Sequence, residues 1–201
     1  IELLQQVTNM NNGIYLEEDL KNAVKTNFCI GVAGYPEKHF EAPNMHNDLQ
    51  NLKAKVDAGA EYVVTQMFFD NQKYFNFVKS CKDAGIEVPI IPGLKPISSK
   101  KQLSVIPRTF HVDIPEALSN EILKCKTDEE VEVVGTEWLL QQSKELKAAG
   151  VPVLRRDFWA YCHTDANSDR VGELGDWGDI KLLTVAVNRL RRHAPEIAER
   201  I

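Results

Sequence analysis

Short apolar runs and longer amphipathic stretches take turns along this chain. The first amphipathic stretch, residues 16–26, has acidic residues early, lysine late and apolar positions at helical spacing, which predicts a helix. Residues 28–33 (FCIGVA) follow as a near-continuous apolar run bounded by Asn27 and by Gly34-Tyr35-Pro36, the pattern of a strand buried on both faces of a parallel sheet. The alternation then repeats. It predicts a helix over 45–58 stopped at Gly59, a strand over 62–67, a helix over 72–84 stopped at Gly85, and a strand over 88–91 closed by Pro92-Gly93. Helical stretches near 100–106 and 115–124, then a long amphipathic helix over 128–149 ending at Gly150, lead to a fourth strand at 151–154.

Strands separated by helices are parallel and joined by crossovers, so the fold class is α/β. Four such strands do not close a sheet, whereas an eight-stranded barrel takes about 250 residues. The pattern therefore predicts the C-terminal half of a (β/α)8 TIM barrel. The opening Ile1-Glu2-Leu3, with neither an initiator Met nor a signal pattern, suits a chain whose beginning lies elsewhere. An open doubly wound sheet is the alternative, but Gly31-Val32-Ala33-Gly34-Tyr35-Pro36 lacks the third glycine of a dinucleotide fingerprint.

Composition narrows the partners. Asp plus Glu (29) outnumber Lys plus Arg (24), giving −5 with no clustered basic tract, so nucleic acid is not expected. Apolar runs such as 182–187 fall far short of the ~20 residues needed to cross a bilayer, so no membrane span is expected either. The four cysteines have no ligand spacing, which argues against a disulfide framework or zinc site and for a reducing, cytoplasmic setting.

Chemistry in such folds gathers at the carboxyl ends of the strands. The loop after the first strand is long and polar, carrying Glu37, His39 and Glu41 between two prolines. On the next helix Asp48, Asn51 and Lys55 fall within an arc of about 60°, beside an apolar arc of Leu49, Leu52 and Val56. A carboxylate, an amide and an ammonium in that order suit ribose hydroxyls and phosphates; a solvated helix face is the plain alternative. The second strand ends in Gln66, whose amide both donates and accepts and so suits a planar heterocycle. After the third strand, Ser98 or Ser99 is a candidate helix cap, and the lysines around it read as surface charge.

Four segments in order, 30–44 with its AGYPExH core, 53–60 (KAKVDAGA), 65–70 (TQMFFD) and 90–96 (IIPGLKP), resemble the second half of the methylenetetrahydrofolate reductase family. The resemblance runs over about 28–154. It implies a flavin-dependent α/β barrel in which NADH or NADPH reduces FAD, and FAD reduces methylenetetrahydrofolate to methyltetrahydrofolate for methionine synthesis. By resemblance, His39, Asp48, Asn51 and Lys55 are FAD-binding positions, and Gln66 and Gln102 are substrate-binding. Ala54 stands where the family often has an arginine. The family's proton-donating Glu and flavin-adjacent Asp belong to the first half of the barrel, so no catalytic residue is assigned here. Residues 1–154 are thus expected as a partial barrel and 155–201, with Trp159, Trp177 and a predicted helix at 180–190, as a divergent extension. The competing reading is a catalytically incomplete half-barrel, an interaction or assembly module whose apolar strand edges pair with another chain, a homo-oligomer being one form.

Overall fold

The computed structural model of the protein describes residues 1–17 and 19–151. Nine elements follow in order: α1 (Glu2–Asn11), β1 (Gly31–Gly34), α2 (Met45–Asp57), β2 (Tyr62–Met67), α3 (Asn71–Asp83), β3 (Ile90–Gly93), α4 (Gln102–Phe110), α5 (Glu116–Lys124) and α6 (Asp128–Ala148). The three strands form one parallel sheet in the order β1-β2-β3, with Ala33 opposite Val64 and Val64 opposite Ile91. This is the expected βα alternation of a partial α/β barrel. The fourth strand predicted at 151–154, the extension from 155 and the boundary between them lie outside the described residues, Val151 excepted.

One helix-ending device recurs. After α2, α3 and α6 an Ala-Gly pair turns the chain, with Gly59, Gly85 and Gly150 at φ +114°, +75° and +81°. In each case the glycine N–H and the next N–H return to carbonyls of the last helical turn, as in Ala60 N to Lys55 O (3.2 Å), Ile86 N to Cys81 O (2.9 Å) and Val151 N to Leu146 O (3.0 Å). These Schellman turns satisfy the orphan carbonyls and aim an apolar residue back toward the sheet. The opposite ends of the same helices are capped by Asn44, Asp70 and Thr127 side chains.

The N-terminal segment departs from the expected pattern. The helix forms at Glu2–Asn11, where Leu4 is buried and Thr8 Oγ1 donates to Ala58 O, rather than at 16–26. Leu16, Leu20 and Val24 have the spacing of a helix but remain exposed, so no packing supports one. Polar contacts tie off the base of this segment instead: Asn11 binds both backbone groups of Phe28, at 2.8 Å each, and accepts from Thr26 Oγ1. With its backbone groups taken, Phe28 stays out of the ladder, and β1 begins three residues later than the apolar run.

The helices cover one face of the sheet, where Val63 packs with Leu49, Leu52, Phe77, Cys81 and Ile86. A second cluster, including Met67, Phe69, Ile97, Ile106 and Ile122, fills the space under α4, α5 and α6. Cys29, Cys81 and Cys125 are buried, and among the described residues no helix is long and apolar enough to cross a membrane.

Gly135, in the middle of α6, lets that helix lie against the backbone of Ile97: an added Cβ would stand 1.9 Å from Ile97 O. Helix propensity alone favours Ala at such a position by about 1 kcal/mol, whereas a clash with fixed backbone costs about 1–3 kcal/mol or more. Gly135→Ala is therefore expected to lower stability by about 2 kcal/mol, measured by urea denaturation; a gain would mean α6 does not approach Ile97 this closely.

Candidate functional site

Parallel strands deliver their carboxyl ends to one edge, and the loop following β1 is the longest structure there. Lys38 adopts a left-handed conformation (φ 76°), and its ammonium folds back onto the carbonyls of His39 (2.9 Å) and Ala42 (2.6 Å). The loop therefore closes around its own lysine. His39 follows, its N–H donating to Asp48 Oδ2 at 2.9 Å and its ring meeting Tyr35 edge-on at 4.6 Å. His39 Nδ1 accepts from Glu41 N at 3.3 Å, which assigns the ring proton of the neutral imidazole to Nε2. Burial, and then the charges of Asp48 and Glu41, raise the Tyr35 phenol above its ordinary value, keeping it neutral.

Two of the expected stripe positions remain open. Asp48 is engaged with the loop, Asn51 is exposed and Lys55 half-buried, and neither Asn51 nor Lys55 hydrogen-bonds through its side chain to a described residue. Seven residues of helix separate Asp48 from Lys55 by about 10 Å, so the stripe leads from the His39 loop along α2. Leu49 and Leu52 face the core beside it, as their spacing predicts.

The two glutamines differ. Gln66 is half-buried on β2, alternating with buried Thr65 and Met67, and its amide is free of partners among the described residues. Gln102 is folded back: its Oε1 accepts from Ser98 N at 2.9 Å and its Nε2 donates to Ser98 Oγ at 3.2 Å. Neither Ser98 nor Ser99 caps α4; the cap position is Lys101, with no side-chain bond. Lys95 also departs from the surface role expected of it. It is 5% exposed, just beyond the end of β3.

Sequence separation hid one further group. Lys73 of α3 lies 2.5 Å from Glu37 Oε2 and 2.6 Å from Asp113 Oδ2. Burial raises the Glu37 carboxyl above its ordinary value despite Lys73 and the Asp113 N–H. The bond from Lys73 lowers Asp113. Burial alone would lower Lys73, but Asp113 and Glu37 reverse that and hold the ammonium above its ordinary value.

A cavity of about 460 Å³ between α3 and α6, lined by Asp70, Phe75, Trp138 and Gln141 among others, contains none of the residues expected to bind a cofactor or substrate. Among the described residues, no group of three or more His, Cys, Asp and Glu is arranged to hold a metal ion.

A profile of the methylenetetrahydrofolate reductase family matches residues 4–157. The chain belongs to the methylenetetrahydrofolate reductase family. It is 40% identical over 149 residues to 5,10-methylenetetrahydrofolate reductase of Salmonella typhimurium, covering 68% of this chain and 49% of that one. Methylenetetrahydrofolate reductase 2 of Saccharomyces cerevisiae is 35% identical over 150 residues (71% of this chain, 25% of that one). The probable methylenetetrahydrofolate reductase (NADPH) of Caenorhabditis elegans is 39% identical over 120 residues (59% and 18%). The chain thus spans about half the length of the bacterial relative and a quarter or less of the two eukaryotic ones.

The elevated Glu37 carboxyl makes stability pH-dependent. In the folded protein Glu37 keeps its proton to a higher pH than in the unfolded chain, so its contribution is present at low pH and declines as pH rises through the elevated value. Asp113 runs the other way, its contribution present above the ordinary aspartate range and lost as pH falls through its lowered value. Glu37→Gln is expected to gain stability relative to the parent as pH rises from the ordinary glutamate range through the Glu37 value, read by urea denaturation at a series of pH values. A pH-independent difference would contradict a raised Glu37.

Proposed function

We propose that this chain carries the cofactor-phosphate side and part of the folate site of a flavin-dependent methylenetetrahydrofolate reductase, with FAD as cofactor and NADH or NADPH as electron donor. Family membership supports the reaction class, and one relative's name includes NADPH. The observation that carries the reading is the open Asn51 and Lys55 stripe running from the Asp48-tethered His39 loop. Lys55 supplies a positive charge for a diphosphate, Asn51 a donor and acceptor for sugar hydroxyls, and His39 an Nε2 donor at the loop end. On the face of the sheet that carries Gln66, β1 contributes the small exposed Ala33, while the Tyr62 ring lies over Gly31. These residues fit the cofactor.

Bound FAD would accept hydride from the nicotinamide and pass it to the folate carbon, and that chemistry is the cofactor's own. The protein's share is recognition and orientation. Gln66 would offer its amide to the donor-acceptor edge of a pterin or carboxamide, and Gln102 could do so only by giving up Ser98. Product methyltetrahydrofolate serves methionine synthesis. A second reading is favoured by β1, which pairs only with β2 among the described residues and leaves Gly31 and Ala33 exposed: a half-barrel that assembles with another chain, including a second copy.

The purified chain reconstituted with FAD is expected to retain flavin absorbance and oxidise NADH or NADPH. Asn51→Ala/Lys55→Ala should weaken FAD binding by about tenfold or more, the scale of a lost charge-assisted contact, whereas Gln66→Ala should retain flavin and lose folate turnover. Failure of the reconstituted chain to bind flavin overturns the enzyme reading; oligomers by light scattering together with that failure favour assembly.

A further inference from the structure

Two ties bind the His39 loop to the connector between α4 and α5. In one, Lys73 bridges Glu37 and Asp113 as described, and Asp113 N donates to the same Glu37 oxygen at 3.0 Å. In the other, the Phe40 ring stacks on His111 with centroids 4.8 Å apart and planes 22° from parallel. Lys38 and His39 lie between these ties, and Asp48 holds the His39 N–H from the third side. The Glu37 side chain is 9% exposed and, among the described residues, its Oε1 has no hydrogen-bond partner and Lys73 is the one ion-pair partner of this carboxylate. This differs from Lys79 and Asp83 on the same helix, an exposed i,i+4 pair that joins nothing beyond α3.

We propose that Lys73 is a positioning residue for the flavin-binding face: by bridging Glu37 to Asp113 it holds the His39 loop against the connector that follows α4. The helix in question begins at Gln102 and ends at the His111 cap, so the bridge connects the loop expected to meet flavin with the element that carries a candidate folate contact. Its consequence for FAD rests on the flavin reading above; its hold on His39 does not.

Four variants test this: Lys73→Met, Lys73→Arg, Glu37→Gln/Lys73→Met, and Lys79→Met as the charge-matched control. Hydrogen exchange at the His39 amide is measured without FAD, affinity by flavin fluorescence, and folding by circular dichroism. Lys73→Met should speed His39 exchange and weaken FAD binding by about tenfold. Lys73→Arg, which can still reach two carboxylates, should restore both, and Lys79→Met should alter neither. The double variant removes the stranded buried carboxylate, so it guards against misfolding while leaving the loop without the Lys73 bridge. Parent-like His39 exchange in folded Lys73→Met or the double variant overturns the proposal, as does a Lys73→Arg protein that exchanges like Lys73→Met. If the parent binds no FAD, the flavin reading falls, and His39 exchange alone decides the positioning role.

Discussion

Parallel pairing on both edges of β2 is the constraint from which the rest of the described architecture follows. Parallel strands cannot be joined by a tight turn, so each connection must run the length of the sheet and back, and a helix is the structure that does so with its backbone groups satisfied. The consequence is directional: β1, β2 and β3 all release the chain at the same edge. Polar side chains separated by dozens of residues, among them His39 in a loop and Gln102 at the start of α4, follow the strand ends at that edge. The recurrent Ala-Gly turns complete the device at the other end by returning α2 to β2 and α3 to β3.

Much of this was legible because it depends on local chemistry. The helices α2, α3 and α6 announce themselves through apolar spacing, a capping Asn, Asp or Thr, and the glycine that only a left-handed position requires. Strand β2 is legible from its β-branched run. The failures have a common cause. Residues 16–26 carry a helical pattern but meet no surface that would bury it, while in the helix Glu2–Asn11 Leu4 is buried and Thr8 bonds Ala58 at the end of α2. Periodicity reports what a segment could bury, not whether anything lies opposite. Lys95 shows the same gap from the other side, since nothing in its neighbours in sequence marks it as enclosed.

The candidate site divides similarly. Asp48, Asn51 and Lys55 share an arc because helical geometry puts them there, and the spacing alone shows it. That Asp48 is spent on the His39 amide and Gln102 on Ser98, leaving Asn51, Lys55 and Gln66 open, depends on loop conformations that no spacing rule contains. Glu37, Lys73 and Asp113 come from three separate connections and meet only after the sheet has brought those connections together.

That triad is better suited to fixing geometry than to adding stability. Glu37 loses hydration on burial, and its raised carboxyl records that loss outweighing the attraction of Lys73. A methionine and an apolar partner could fill the same volume without the desolvation cost, but they would tolerate sliding, because dispersion contacts are weakly directional. An ammonium shared by two carboxylates is more exacting: displacement of the loop lengthens bonds to Glu37 and leaves a buried charge exposed to the full penalty of being unpaired. Nearby, Lys38 applies the same principle within the loop, with backbone carbonyls in place of carboxylates. The loop bearing His39 is therefore restrained by two ammonium groups, one internal and one from α3, alongside the stack of Phe40 on His111.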